Sequence, residues 1–178
     1  MALFPLEPVY ARAVVASKDL GCTQEILDII SVLSATSKLF VDVTEQREAA
    51  SDARRKFRHP SGDHLTVLNA IRSYTEIAAA EEKFARKAWC KKHFLNERTL
   101  LEAVSIRQQL RQTCERMRID PEVSCGDMEE PVVKSLAHGL AQNSAFLQPD
   151  GSYKQTMGQS VRILSLSGVI ADFCISDC

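Results

Sequence analysis

A mainly α-helical body with a β tail is the fold class the sequence predicts, on three observations. Apolar residues recur at three- and four-residue spacing in run after run between residues 8 and 143, the period of one helix face. Turn and cap residues (Gly21, Pro60-Ser61-Gly62, Asn96) fall between those runs. Beyond about residue 143 the spacing gives way to short extended stretches around Pro149-Asp150-Gly151.

The first helix is expected in PVYARAVVAS, residues 8–17, with Pro8 where a first turn tolerates it and Gly21 closing it. GCTQEILDIISVLSATS follows, with Thr23 as the expected N-cap and Ile26, Ile29, Ile30 and Leu33 as a buried stripe. Residues 37–46 read as irregular and extended around LFVDV. EQREAASDARRKFR, residues 45–58, reads as a third helix with a strongly charged face. Pro60 stops it, Ser61-Gly62 turns the chain, and Asp63 is the expected cap of a fourth helix. In that helix Val67, Ile71, Tyr74 and Ala78 repeat at i, i+4, i+7 and i+11. KFARKAWCKKHF (83–94) and TLLEAVSIRQQLRQTCERMR (99–118) supply two more helices. Asn96 caps the second, and its stripe runs Leu100, Ala103, Val104, Leu110, Cys114 and Met117. MEEPVVKSLAHGLAQN (128–143) is the last, with acidic residues at its positive end. SAFLQPDGSYKQT reads as a hairpin, and QSVRILSLSGVIADF offers one or two further strands.

The bulk numbers exclude several classes. The 178 residues, 45% hydrophobic and 25% charged, suffice for one good core or two small ones. No apolar run approaches the roughly 18 residues that span a bilayer. MALFPLEP is too short and proline-broken for a signal peptide, so an intracellular chain is expected. The six cysteines (22, 90, 114, 125, 174 and 178) form no C-x-x-C pair and the four histidines are scattered, so free packing thiols and no zinc site are expected. Nothing matches G-x-x-x-x-G-K-S/T, G-x-S-x-G, H-E-x-x-H or a glycine-rich dinucleotide fingerprint. Asp63-His64 lacks a marked nucleophile and reads as a helix cap beside a packed imidazole, so catalysis by this chain alone is not expected.

Charge supplies the positive signal. The net charge of −1 hides a basic middle: residues 50–118 carry fifteen Lys and Arg against eight Asp and Glu, a net of +7 between acidic ends. ARRKFRH places Arg54, Arg55, Lys56 and Arg58 within five residues. KFARKAWCKKHF adds Lys83, Arg86, Lys87, Lys91 and Lys92, interleaved with Phe84, Trp89 and Phe94. Such charges recognise phosphates, and exposed aromatics stack single-stranded bases. A merely solvated helical face has the same composition, and Trp89 and Phe94 are expected in the core. Arg107 falls within an apolar stripe, where a guanidinium needs a salt-bridge partner or, second, a phosphate.

GDHLTVLNAI, WCKKHFLNERTL and VSIRQQL together resemble the C-terminal accessory region of the DEAH-box RNA helicases. The family pattern is G-D-H-x-T-x-L-N, then W-C-x-x-x-F/Y-L/I/V-N-x-R-S/T-L, then V/I-R-x-Q-L, in this order. MALFPLEP and GCTQEILDIISVLS are similar to the family's winged-helix wording, and HGLAQNSAFLQPDGSYKQT to the segment leading into its OB-fold. The resemblance covers about residues 1–163 and is closest to the nucleolar, ribosome-producing members. It implies the end of a winged helix over 1–44, a ratchet-like helical bundle over 45–143, and an incomplete OB-fold start over 144–178. It further implies that His64, Thr66, Asn69, Arg98 and Arg107 match motif positions concerned with the RNA channel or with packing on two RecA-like motor domains. Partners would be RNA and those motor domains, with no membrane; the location would be the nucleus or nucleolus. ATP and Mg²⁺ belong to the parent family; no cofactor or metal is expected in this chain, which lacks the motor. After Val161-Arg162-Ile163 the chain departs from the family wording, which suggests a truncated product. The rival reading is a stand-alone helical module that binds a protein partner.

Overall fold

The computed structural model describes residues 6–41, 43–143, 145–147, 153–155 and 160–161. Seven helices run in order: α1 (Pro8–Leu20), α2 (Thr23–Leu33), α3 (Arg47–Arg55), α4 (Asp63–Ala80), α5 (Lys83–Lys92), α6 (Glu97–Arg116) and α7 (Glu129–Leu140). Three short strands follow, β1 (Ala145–Leu147), β2 (Tyr153–Gln155) and β3 (Ser160–Val161). Among the described residues no helix is long and apolar enough to cross a membrane.

The centre of the body is α2, buried from Thr23 to Val32 except at Gln24, its polar residues included. Helices α1, α4, α6 and α7 pack around it. Val14 of α1, Ile26, Ile29 and Ile30 of α2, Ile71 and Tyr74 of α4, Leu100 and Leu110 of α6, and Leu136 of α7 belong to one buried cluster. Helices α1 and α2 share this buried cluster with the later helices. At the α1–α7 contact Ser135 donates a 2.7 Å hydrogen bond to the Ala13 carbonyl, and Gly139 lets the two backbones meet.

Asn96 caps α6 as its position suggests, its side chain accepting from the Arg98 amide at 3.1 Å. Two other expected caps sit one residue inside their helices. Thr23 and Asp63 are first helical residues; the caps are Cys22 and Gly62, neither with a side-chain bond. Gly62 has φ +119°, a conformation glycine alone adopts readily, and this sets the chain's entry angle into α4. The third helix ends at Arg55, three residues early, because a turn there carries Phe57 into the core at 4% exposure. Val104, expected on the apolar stripe of α6, is 41% exposed, so the buried seam is narrower than the spacing suggests.

Helices α5 and α6 end alike. Leu95 donates to the Cys90 carbonyl and Ile119 to the Cys114 carbonyl, each at 2.9 Å, past Phe94 (φ +53°) and Arg118 (φ +58°). Glycine usually occupies that left-handed position. A side chain there costs about 1–2 kcal/mol, which burial of Leu95 and Ile119, worth about 1.5–3 kcal/mol each, offsets.

Strands β1 and β2 pair antiparallel with Ala145 opposite Gln155 and Leu147 opposite Tyr153, and β3 adds beyond β2. The expected turn at Pro149-Asp150-Gly151 lies outside the described residues, as does the chain from 162 onward. Cys22, Cys90, Cys114 and Cys125 are free and buried, and burial pushes their thiols up, to about 12 for Cys22 and about 11 for the others. They are packing residues. Cys174 and Cys178 lie outside the described residues.

Candidate nucleic-acid interface

Two of the sequence-marked stretches, ARRKFRH and GDHLT, face each other across a cleft of about 640 Å³. Leu33, Phe40 and Val67 give it an apolar lining. Arg54, Arg55 and Arg58 line it from the α3 side, Asp63 and His64 from the first turn of α4.

Local hydrogen bonds hold these walls in register. Thr66 Oγ1 accepts from the His59 amide at 2.9 Å and donates to the Gly62 carbonyl at 3.1 Å. Asn69 Nδ2 donates to the Phe57 carbonyl at 3.1 Å. Both side chains therefore stitch the 57–62 turn onto α4 and set where Arg58 stands; Thr66 itself is buried. Helix α7 adds a second anchor. His59 Nε2 lies 3.3 Å from one Glu129 carboxylate oxygen, and Ser61 Oγ bonds the other.

Arg54 lies over the Phe40 ring, 4.7 Å from its centroid, in a cation–π contact. Arg55 reaches Asp52 at 3.5 Å, but both side chains are about 70% exposed, so the pair holds the guanidinium weakly. His64 is half-buried, and burial lowers its pKa against the opposing pull of Asp63. The imidazole is neutral at pH 7, and the cationic groups of the cleft are the arginines.

The second basic segment adjoins the first. Helix α5 runs back along α4, so that Trp89 meets Tyr74 at 6.4 Å and Phe57 edge-on at 6.0 Å; the His93 ring at the end of α5 lies tilted 4.5 Å from it. Trp89 and Phe94 are half-buried rather than free to stack a base; Trp89 packs against the core. Phe84 differs, at 85% exposure. Lys56, Lys83, Lys87, Lys91 and Lys92 are exposed and Arg86 is half-buried.

Arg98 and Arg107 stand apart from the cleft. Arg98 is exposed on the first turn of α6. Arg107 is only 18% exposed, and its Nε lies 2.9 Å from Asp28 Oδ1, the partner a guanidinium on an apolar stripe requires. Burial pushes the Asp28 carboxyl up to about 6, outweighing Arg107 and Arg72, which pull it down. The folded state therefore holds this proton more tightly than the unfolded chain, where an aspartate titrates near 4. The Asp28 contribution to stability is full below about pH 4, falls up to about pH 6 and is flat above. Across that window the urea midpoint of the native chain falls relative to that of Asp28→Asn, which lacks this proton.

Sequence reasoning missed a second buried ion pair. Glu25, fully buried in α2, accepts from Arg72 Nη2 at 2.8 Å, Ser124 Oγ at 2.5 Å and the Cys125 amide at 3.3 Å. The same Arg72 nitrogen donates to the Gly126 carbonyl at 3.1 Å, and Arg111 pairs with Glu122. The available signal was two carboxylates set among the isoleucines of TQEILDIISVL.

Comparison with known proteins places these observations. Residues 7–67 match a family model described as "Helicase associated domain (HA2), ratchet-like". The chain is 40% identical over 156 residues to a Mus musculus protein named "ATP-dependent RNA helicase DHX33", covering 88% of this chain and 21% of that protein. The Homo sapiens protein of the same name is 39% identical over 156 residues, with the same coverage. A Pongo abelii protein named "Probable ATP-dependent RNA helicase DHX35" is 32% identical over 154 residues, 86% of this chain and 20% of the other. The chain spans about a fifth of the length of these relatives.

Proposed function

Because the chain is a helicase-associated, ratchet-like region of the DEAH-box RNA helicase family, we propose that it forms part of the wall along which single-stranded RNA passes and packs against RecA-like motor domains. The observation that carries this reading is the cleft where Arg54, Arg55 and Arg58 converge beside His64. Helices α1 and α2 are read with the bundle, whose core they share. The three antiparallel strands are read as the opening of an OB-fold, which has about five. ATP and Mg²⁺ are read as the motor's, since the sequence carries no phosphate-cradling glycine-rich run. A nucleolar location and a part in ribosome production belong to the same proposal.

The test is binding of a labelled 12-nucleotide single strand of mixed sequence, followed as salt is raised. Expected is weak binding that falls steeply with salt. Arg55→Gln with Arg58→Gln lowers the affinity about five- to tenfold and reduces the logarithmic salt slope by about 1.4, near 0.7 for each phosphate no longer neutralised. Binding indifferent to salt, or absent while a protein partner binds tightly, overturns the reading in favour of a protein-interaction module.

A further inference from the structure

Building on the RNA reading, we infer that the α3–α4 cleft takes one unstacked nucleotide out of the strand and reads its base, favouring guanine over uracil. Size is the first argument. The cleft's 640 Å³ falls within the roughly 300–1,000 Å³ of small-ligand sites, whereas a groove that only tracks a backbone needs no such recess.

The distribution of chemistry is the second. Leu33 and Val67, beside the Phe40 ring that the Arg54 guanidinium covers, form an apolar surface that suits the face of a base and does nothing for a phosphate. Cations and anion stand on different walls. Arg55 and Arg58 project from α3 and the turn after it, and Asp63 stands on the first turn of α4. A carboxylate repels phosphate, so the phosphate lies on the arginine wall and the base points toward Asp63.

That orientation decides the base. A carboxylate only accepts hydrogen bonds. Guanine offers it two adjacent donors, N1–H and the 2-amino group, in the bidentate geometry carboxylates favour. Uracil offers N3–H between two carbonyl oxygens, both of which Asp63 repels. A bidentate pair discriminates between bases, and roughly tenfold selectivity for guanine follows.

The experiment uses the whole 178-residue chain, labelled for amide NMR and titrated separately with GMP, UMP and inorganic phosphate. Binding of the 12-nucleotide strand is measured on the same preparation. GMP is expected to shift the Phe40, Asp63 and Val67 amides and to saturate at roughly one tenth of the UMP concentration. Asp63→Asn brings the two nucleotides together while leaving the amide spectrum elsewhere unchanged, and Arg55→Gln with Arg58→Gln weakens both equally. Equal effects of GMP, UMP and phosphate overturn the inference while salt-dependent strand binding keeps the RNA reading intact. Absence of strand binding overturns both. A glutamate-rich peptide that displaces GMP and binds more tightly than the strand also overturns it, and assigns the cleft to a protein partner.

Discussion

Glu25→Ala lowers the unfolding free energy by about 3–5 kcal/mol, the usual cost of breaking a buried ion pair by removing one partner. Glu25 is fully buried and is the acceptor for three donors: the Arg72 guanidinium, the Ser124 hydroxyl and the Cys125 amide. Truncation strips all three of this acceptor and opens a void in the most buried helix of the body. Two effects work against the loss. Arg72 is 32% exposed, so water reaches part of it, and it keeps the Gly126 carbonyl. They hold the cost toward the lower bound without reversing it, because the Cys125 amide is buried and a stranded buried donor keeps its full desolvation penalty. Urea unfolding of the two chains, compared at equal slope, measures the difference. A loss under about 1 kcal/mol contradicts the network as described. Glu25→Leu combined with Arg72→Met is expected to recover only part of what Glu25→Ala loses: the void is filled and no charge is stranded, but the buried Cys125 amide still lacks its acceptor.

The second large effect comes from Gly139→Val, expected to cost about 3 kcal/mol, near the upper range for overpacking. A Cβ at residue 139 would stand 2.4 Å from the Val9 carbonyl oxygen and 2.8 Å from the Ala13 Cβ. Neither neighbour is the loose end of a long side chain, so α1 as a whole must move. Gly139→Ala is the sharper comparison. Alanine in a helix is favoured over glycine by about 1 kcal/mol, so an increase in stability on this change means that the close approach is absent. A net loss of about 1–2 kcal/mol, smaller than that for valine, is expected. The consequence reaches the cleft. Glu129 on α7 anchors His59 and Ser61, so loosening α7 from α1 also frees the turn that positions Arg58. Weaker strand binding by Gly139→Val than by Gly139→Ala, at a temperature where both are folded, reads out that coupling.

Local order was legible because its causes are local. The helical spacing of Ile26, Ile29 and Ile30 and the cap at Asn96 each depend on residues within one or two turns. Even the misplaced caps at Thr23 and Asp63 were wrong by one residue, since several polar residues at a helix start compete for one position and the backbone angle of Gly62 settles it. The motif GDHLTVLN was recognisable as a string, but its physical use was not. Thr66 and Asn69 spend their hydrogen bonds on the preceding turn.

By itself the sequence determined the helical class, the helix order, the family wording and the basic middle, because periodicity, capping and charge count are properties of neighbouring residues. The tertiary structure alone decided which carboxylate meets which arginine, that ARRKFRH and GDHLT share one cleft, and that Phe84 stays exposed. Those outcomes depend on the angles at which α2, α3, α4 and α6 cross, and many side chains far apart in the chain set those angles together. A period of 3.6 residues says which face of a helix is buried. It does not say against which other helix.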